Sequence, residues 1–126
     1  MIRDARKKGV DVTCSVTPHH LLLDDTLLRD FDTRYKVLPP LRTKKHISAL
    51  KRAVKDGVVC CIASDHTPVD IEDKKCEFDR AAFGTVGLQT AFGASWAALS
   101  DTVSIEKMVE LLSVNPRRRF GVEVPT

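Results

Sequence analysis

A chain of 126 residues, 43% of them hydrophobic and 29% charged, is the size of one ordinary domain and can pack a core, which excludes a disordered tail. Its 20 basic and 17 acidic residues leave a net charge of +3, too small to imply nucleic acid or a membrane surface as partner. The expected setting is soluble and cytoplasmic, because the sequence offers no signal peptide and no apolar run long enough to span a bilayer.

In chain order, residues 1–8 read as a charged helix ended by Gly9, a glycine suited to the position just past a helix. Residues 10–17 (VDVTCSVT) alternate apolar and small polar side chains and predict a strand, stopped by Pro18. His19 and His20 follow at its tip. Residues 26–38 show no clean period and predict a loop with a helical turn; Pro39 and Pro40 then form a rigid extended segment. Thr43 is placed to cap a helix over 44–56, with Ile47, Leu50, Ala53 and Val54 on one face and lysines and arginines over the remainder, a pattern expected of a solvated surface.

Gly57 leads into residues 58–69 (VVCCIASDHTPV), the stretch around which the chain is organised. An apolar run bounded by glycine and a polar turn predicts a strand buried on both faces, and Asp65 and His66 stand at its C-terminal tip. Parallel α/β barrels carry their chemistry at that end of the strands, although an aspartate there can equally close a turn through its own side chain. Of the four cysteines, Cys14, Cys60, Cys61 and Cys76, the adjacent pair is expected to point to opposite faces of this strand. Without C-x-x-C spacing the four read as small buried hydrophobes in a reducing compartment.

Residues 67–83 predict a long charged loop, functional or mobile at that length. A buried helix is expected over 84–100, including Phe92 and Trp96, and a second one capped by Ser104, with Ile105, Met108, Val109 and Leu112 inward. Asn115 followed by Pro116 reads as an N-cap with proline at the first helical position, opening a basic turn over 117–119. Alternating helices and strands with long loops after the strands imply parallel strands and an α/β barrel architecture. Two strands cannot close a sheet, and a full barrel needs eight, about 250 residues. The chain reads as a piece of one.

Five segments together resemble a known family: TPHHLLL, PPLR, ASDHTP, FGTVGLQTAF and NPRRRF, in this order, resemble the dihydroorotases of the amidohydrolase superfamily. The resemblance runs through most of the chain. It implies that residues 1–126 are the C-terminal portion of a (β/α)₈ TIM-type barrel, incomplete at both ends and carrying its last two parallel strands. It further implies reversible cyclisation of N-carbamoyl-L-aspartate to dihydroorotate in pyrimidine biosynthesis, with one or two zinc ions as cofactor. Asp65 matches the family's aspartate that is both metal ligand and catalytic base, a group that takes a proton from the attacking water and delivers it to the ring nitrogen. Phe83 and Gly84 match the turn whose backbone contacts substrate, glycine permitting close approach of a backbone N–H to a carboxylate. His66 is expected to orient neighbours through hydrogen bonds. His19 and His20 do not match metal ligands and read as structural, since consecutive side chains on an extended backbone point apart.

Two positions depart from the family pattern. Leu38 stands where asparagine usually precedes Pro-Pro, and Val69 where a histidine usually contacts substrate; Arg42, Gln89 and Asp70 are candidate substitutes. The alternatives left open are a hydantoinase- or dihydropyrimidinase-like hydrolase and a degenerate scaffold partnering aspartate carbamoyltransferase. One carboxylate cannot hold catalytic zinc, which takes three protein ligands, so this chain is expected to be inactive alone. Its open strand edges should be covered by the rest of the barrel or by another copy of the chain.

Overall fold

The computed structural model describes Met1–Pro125. Two short strands, β1 (Ser15–Val16) and β2 (Cys61–Ile62), pair in parallel with Ser15 opposite Cys61 and Val16 opposite Ile62. Helix α1 (Ile2–Lys7) precedes β1, and α2 (Pro18–Leu22) follows it directly. Helix α3 (Lys44–Lys55) is the crossover that returns the chain to β2, as a parallel pair requires. After β2 come α4 (Ala91–Leu99), α5 (Ile105–Val109) and α6 (Asn115–Arg119).

One core holds these elements together. Val16 and Ile62 of the strands pack with Leu21, Val54, Val59, Ala98, Leu99, Met108 and Leu111, all buried. Each comes from the apolar face of its element. On α3, Val54 is buried, and Leu50 and Ala53 pack against the cluster, as the helical spacing predicts. Arg6 ties α1 to the entry of both strands: its guanidinium donates to the carbonyls of Val12, Gly57 and Val58 at 2.9–3.0 Å. Gly9 and Gly57 hold φ of +80° and +70°, the left-handed conformation expected where α1 and α3 end.

Several expectations are corrected. Both strands are shorter than their apolar runs, because each has a ladder partner on one edge only. The second run is not buried on both faces: Val59 and Ile62 are buried, while Ala63 is exposed. The sulfurs of Cys60 and Cys61 do not diverge but lie 3.3 Å apart, since Cys60 precedes the paired residues and alternation holds only within the extended ladder. All four cysteines are free thiols, and burial together with the Cys60 contact pushes the Cys61 thiol up to about 11. Residues 84–90 are not helical, so α4 begins only at Ala91. In α5 the buried position is Met108, followed by Leu111 in the next turn, whereas Ile105 and Val109 face outward.

Asn115 is no N-cap. It has helical dihedrals and continues the preceding helix through a π-helical turn, Glu110–Val114, and its side-chain amide donates to the Cys60 carbonyl at 2.8 Å. The wider turn accommodates Pro116, which offers no N–H to a regular helical ladder.

Candidate active site

The tips of β1 and β2 bring three of the chain's four histidines next to Asp65. Thr17 is the N-cap of α2 and Pro18 its first residue, so His19 and His20 lie on a helix rather than on extended backbone. Their rings therefore approach to 4.5 Å between centroids instead of pointing apart. His20 is held by its neighbours: its Nδ1 meets Thr17 Oγ1 at 2.6 Å and its Nε2 meets the Pro39 carbonyl at 2.8 Å. His19 has a different place. Its ring is buried, and its Nε2 lies 3.5 Å from Asp65 Oδ2 with no hydrogen-bond partner. Burial and the neighbouring His20 lower its pKa, and the Asp65 carboxylate opposes them. This pairing was not legible in the motif, because the helix that turns His19 toward Asp65 starts inside it.

Asp65 holds φ of +50°, a left-handed conformation that aspartate tolerates better than most residues. The turn is closed by others: the His66 N–H donates to Ser64 Oγ at 3.4 Å and Thr67 Oγ1 to the Asp65 carbonyl at 3.3 Å. The Asp65 carboxylate thus caps no backbone N–H among the described residues, which removes the turn-cap reading. His66 orients the following segment rather than Asp65. Its Nδ1 accepts from the Gly87 and Leu88 N–H groups at 3.1 and 3.3 Å, so the ring proton is on Nε2. His66 and Thr85 form a parallel bridge, and the Thr67 N–H donates to the Thr85 carbonyl at 2.9 Å. The turn at Phe83 and Gly84 is thereby held beside the residues that follow Asp65.

Gly84 has φ of +125°, and a Cβ there would stand 2.6 Å from Thr67 Cγ2. Glycine is demanded by this packing. Its N–H is already engaged, donating to the Lys36 carbonyl at 3.0 Å, so it does not present itself to a substrate carboxylate.

No family model matches the chain. A dihydroorotase from a Thermoanaerobacter species is 44% identical over 97% of this chain, and one from Streptomyces coelicolor is 48% identical over 81% of it. This chain is homologous to part of a dihydroorotase. It spans 29% and 24% of the length of those two relatives. Among solved structures, the L-hydantoinase (dihydropyrimidinase) from Arthrobacter aurescens matches with a TM-score of 0.87 at 26% identity, over 95% of this chain and 28% of that one. Dihydroorotase from Saccharomyces cerevisiae, solved with 5-fluoroorotic acid, matches with a TM-score of 0.82 at 19% identity, over 97% and 35%. The paired parallel strands and their helices are accordingly a segment of an amidohydrolase-type TIM barrel.

In this dihydroorotase homologue, a cavity of about 620 Å³ opens beside Asp65, lined also by His20, Leu38, Arg42 and His46. Leu38 is exposed on this cavity, and Arg42 faces the same space. A second cavity of about 670 Å³ lies between α2 and α4 against His19, Ser64 and Gln89. Gln89 and Arg42 thus flank the strand tips from different sides, while Asp70 lines neither space.

Zinc chemistry needs more than the described residues supply. Among them no three His, Cys, Asp or Glu side chains converge, and Asp65 is the one carboxylate at the strand tips. No helix among the described residues is long and apolar enough to cross a membrane.

Proposed function

We propose that the full-length protein interconverts N-carbamoyl-L-aspartate and dihydroorotate, with Asp65 as general base and proton carrier. The observation that carries this reading is Asp65 itself. It stands at the tip of a parallel strand in a left-handed conformation, its carboxylate free of backbone contacts and backed by a buried histidine nitrogen at 3.5 Å. Such a carboxylate can accept a proton from the attacking water and return it to the ring nitrogen as the amide C–N bond opens; cyclisation runs the same transfers backward. Zinc, held by Asp65 and by ligands outside these residues, would lower the pKa of water and polarise the amide carbonyl. Arg42, on the same cavity, is placed to pair the substrate carboxylate. The turn at Phe83 and Gly84, packed on Thr67 two residues after Asp65, would contact the substrate.

In this reading residues 1–126 supply two adjacent strands of the barrel. The remaining strands would come from the rest of the protein or from another copy. Four free thiols suit a cytoplasmic setting.

A second reading, a hydrolase of hydantoins or dihydropyrimidines, is favoured by Leu38, since leucine on the cavity cannot hydrogen-bond a carboxylated ring. Turnover of dihydroorotate, hydantoin and dihydrouracil by the full-length protein, measured beside its zinc content, decides. Dihydroorotate should be the preferred substrate. Preference for either of the others assigns the second reading. Absence of turnover and of zinc leaves a scaffold, to be tested for binding to aspartate carbamoyltransferase.

A further inference from the structure

Residues 67–83 contain neither helix nor strand, yet buried lysine chemistry pins them. Lys36 is only 8% exposed. Its ammonium donates to the carbonyls of Phe78 and Asp79 at 2.7 and 2.9 Å. It also lies 4.7 Å from the centroid of the Phe83 ring and 5.4 Å from that of Phe78. From the loop side, Lys74 reciprocates: its ammonium donates to the carbonyls of Thr33 and Ala82 at 3.0 and 2.7 Å, while Thr33 Oγ1 donates to the Lys74 carbonyl at 2.6 Å.

Neither ammonium has a carboxylate within salt-bridge distance among the described residues. Carbonyls and ring faces bind a cation only from particular directions, so these contacts specify position rather than merely neutralise charge. The two carbonyls that Lys36 holds belong to a single turn over 77–81, closed by the Arg80 and Ala81 N–H groups on the Glu77 carbonyl. Such a turn has no following residues to supply the N–H groups that its later carbonyls need. The Lys36 ammonium supplies donors in their place, and the Lys36 carbonyl accepts from Gly84 at the loop's far end.

We infer that Lys36 is a positioning residue: through the Phe78 and Asp79 carbonyls and the Phe83 ring it sets where the turn at Phe83 and Gly84 packs against Thr67, two residues after Asp65. The assignment to substrate binding rests on the reading of that turn given under Proposed function; the latch itself does not. Methionine has the length of lysine without its charge. In the full-length protein, Lys36→Met should speed amide hydrogen exchange across residues 67–84 by roughly 10–100-fold, the factor expected for losing hydrogen bonds to a charged donor, while α3 exchanges as before. The KM for dihydroorotate should rise about tenfold, with kcat changed much less, because ground-state positioning is lost and Asp65 is untouched. Lys36→Ala should regain loop protection and KM when propylammonium is added, which refills the missing amine.

Unchanged exchange in Lys36→Met overturns the latch. A loosened loop with unchanged KM overturns its role in substrate positioning. A wild-type protein that turns over no dihydroorotate removes the functional reading instead, and the exchange comparison still decides the latch. Should Lys36→Met fail to fold, refolding of Lys36→Ala with and without propylammonium reads the same contact: recovery with the amine supports it, and no difference overturns it.

Discussion

His19 Nε2 and Asp65 Oδ2 face each other at 3.5 Å across the tips of adjacent parallel strands, one buried and otherwise without a partner, the other partly open to the cavity. The attraction does not outweigh burial. Burial is the largest influence on His19 and, with His20 beside it, lowers its pKa below the ordinary value, more than Asp65 raises it. The unfolded chain therefore takes up a proton on His19 before the folded protein does. The resulting stability is fully present above about pH 6.5 and is lost as pH falls through the lower folded pKa. Urea midpoints of the full-length protein between about pH 8 and 5 should drop toward acid, and less so in His19→Gln. Equal slopes for the two proteins would assign the acid sensitivity to another group.

Asp65→Asn tests the carboxylate without disturbing its backbone. Asparagine tolerates a φ of +50° as well as aspartate does, so the melting temperature should stay close to wild type. Turnover of dihydroorotate should fall by roughly 10²–10⁴-fold, the range for losing a general acid or base, and zinc content should fall with it. A mutant with wild-type turnover would assign the proton transfers to a different residue.

Much of the framework was legible because it follows from periodicity and punctuation: Val54 inward on α3, Gly9 and Gly57 past helix ends, and Ser104 as the cap that accepts from the Lys107 N–H. What escaped depends on contacts between segments far apart in sequence. Strand alternation assigned Cys60 and Cys61 to opposite faces, but the ladder reaches only Cys61 and Ile62, so the rule stops one residue short. The apparent N-cap at Asn115 failed because a π-turn can carry a helix through proline, and nothing local in NPRRR announces that turn. At Gly84 the packing on Thr67 and the bond to Lys36 join three separate stretches that no spacing connects.

Two glycines should respond to alanine in opposite directions. At Gly84 a methyl group meets Thr67 at 2.6 Å, on a backbone of φ +125° that L-residues rarely adopt. Gly84→Ala should cost on the order of 1–3 kcal/mol and loosen the neighbouring loop. Gly93 lies inside α4 with nothing within 4 Å of the added atom. There Gly93→Ala should stabilise by about 0.5–1 kcal/mol, since alanine restricts the unfolded chain and favours helix. Thermal unfolding of both variants measures the contrast, and a neutral Gly84→Ala would show that Thr67 moves aside freely.

Asn115 joins the last helical segment to the start of β2 through its amide bond to the Cys60 carbonyl at 2.8 Å. Removing the donor in Asn115→Ala should cost about 0.5–1.5 kcal/mol, the net value of one such hydrogen bond. Asn115→Asp keeps the shape but turns a negative oxygen toward the carbonyl oxygen, so it should cost more than alanine does. That order distinguishes a hydrogen bond from packing, because a residue valued only for its volume would be replaced better by aspartate than by alanine. Chemical denaturation of the two variants at neutral pH gives the order directly. Aspartate proving the milder change would mean that Asn115 serves the π-turn by filling space, and that the last helical segments are held to β2 by core packing such as that of Leu111 and Met108.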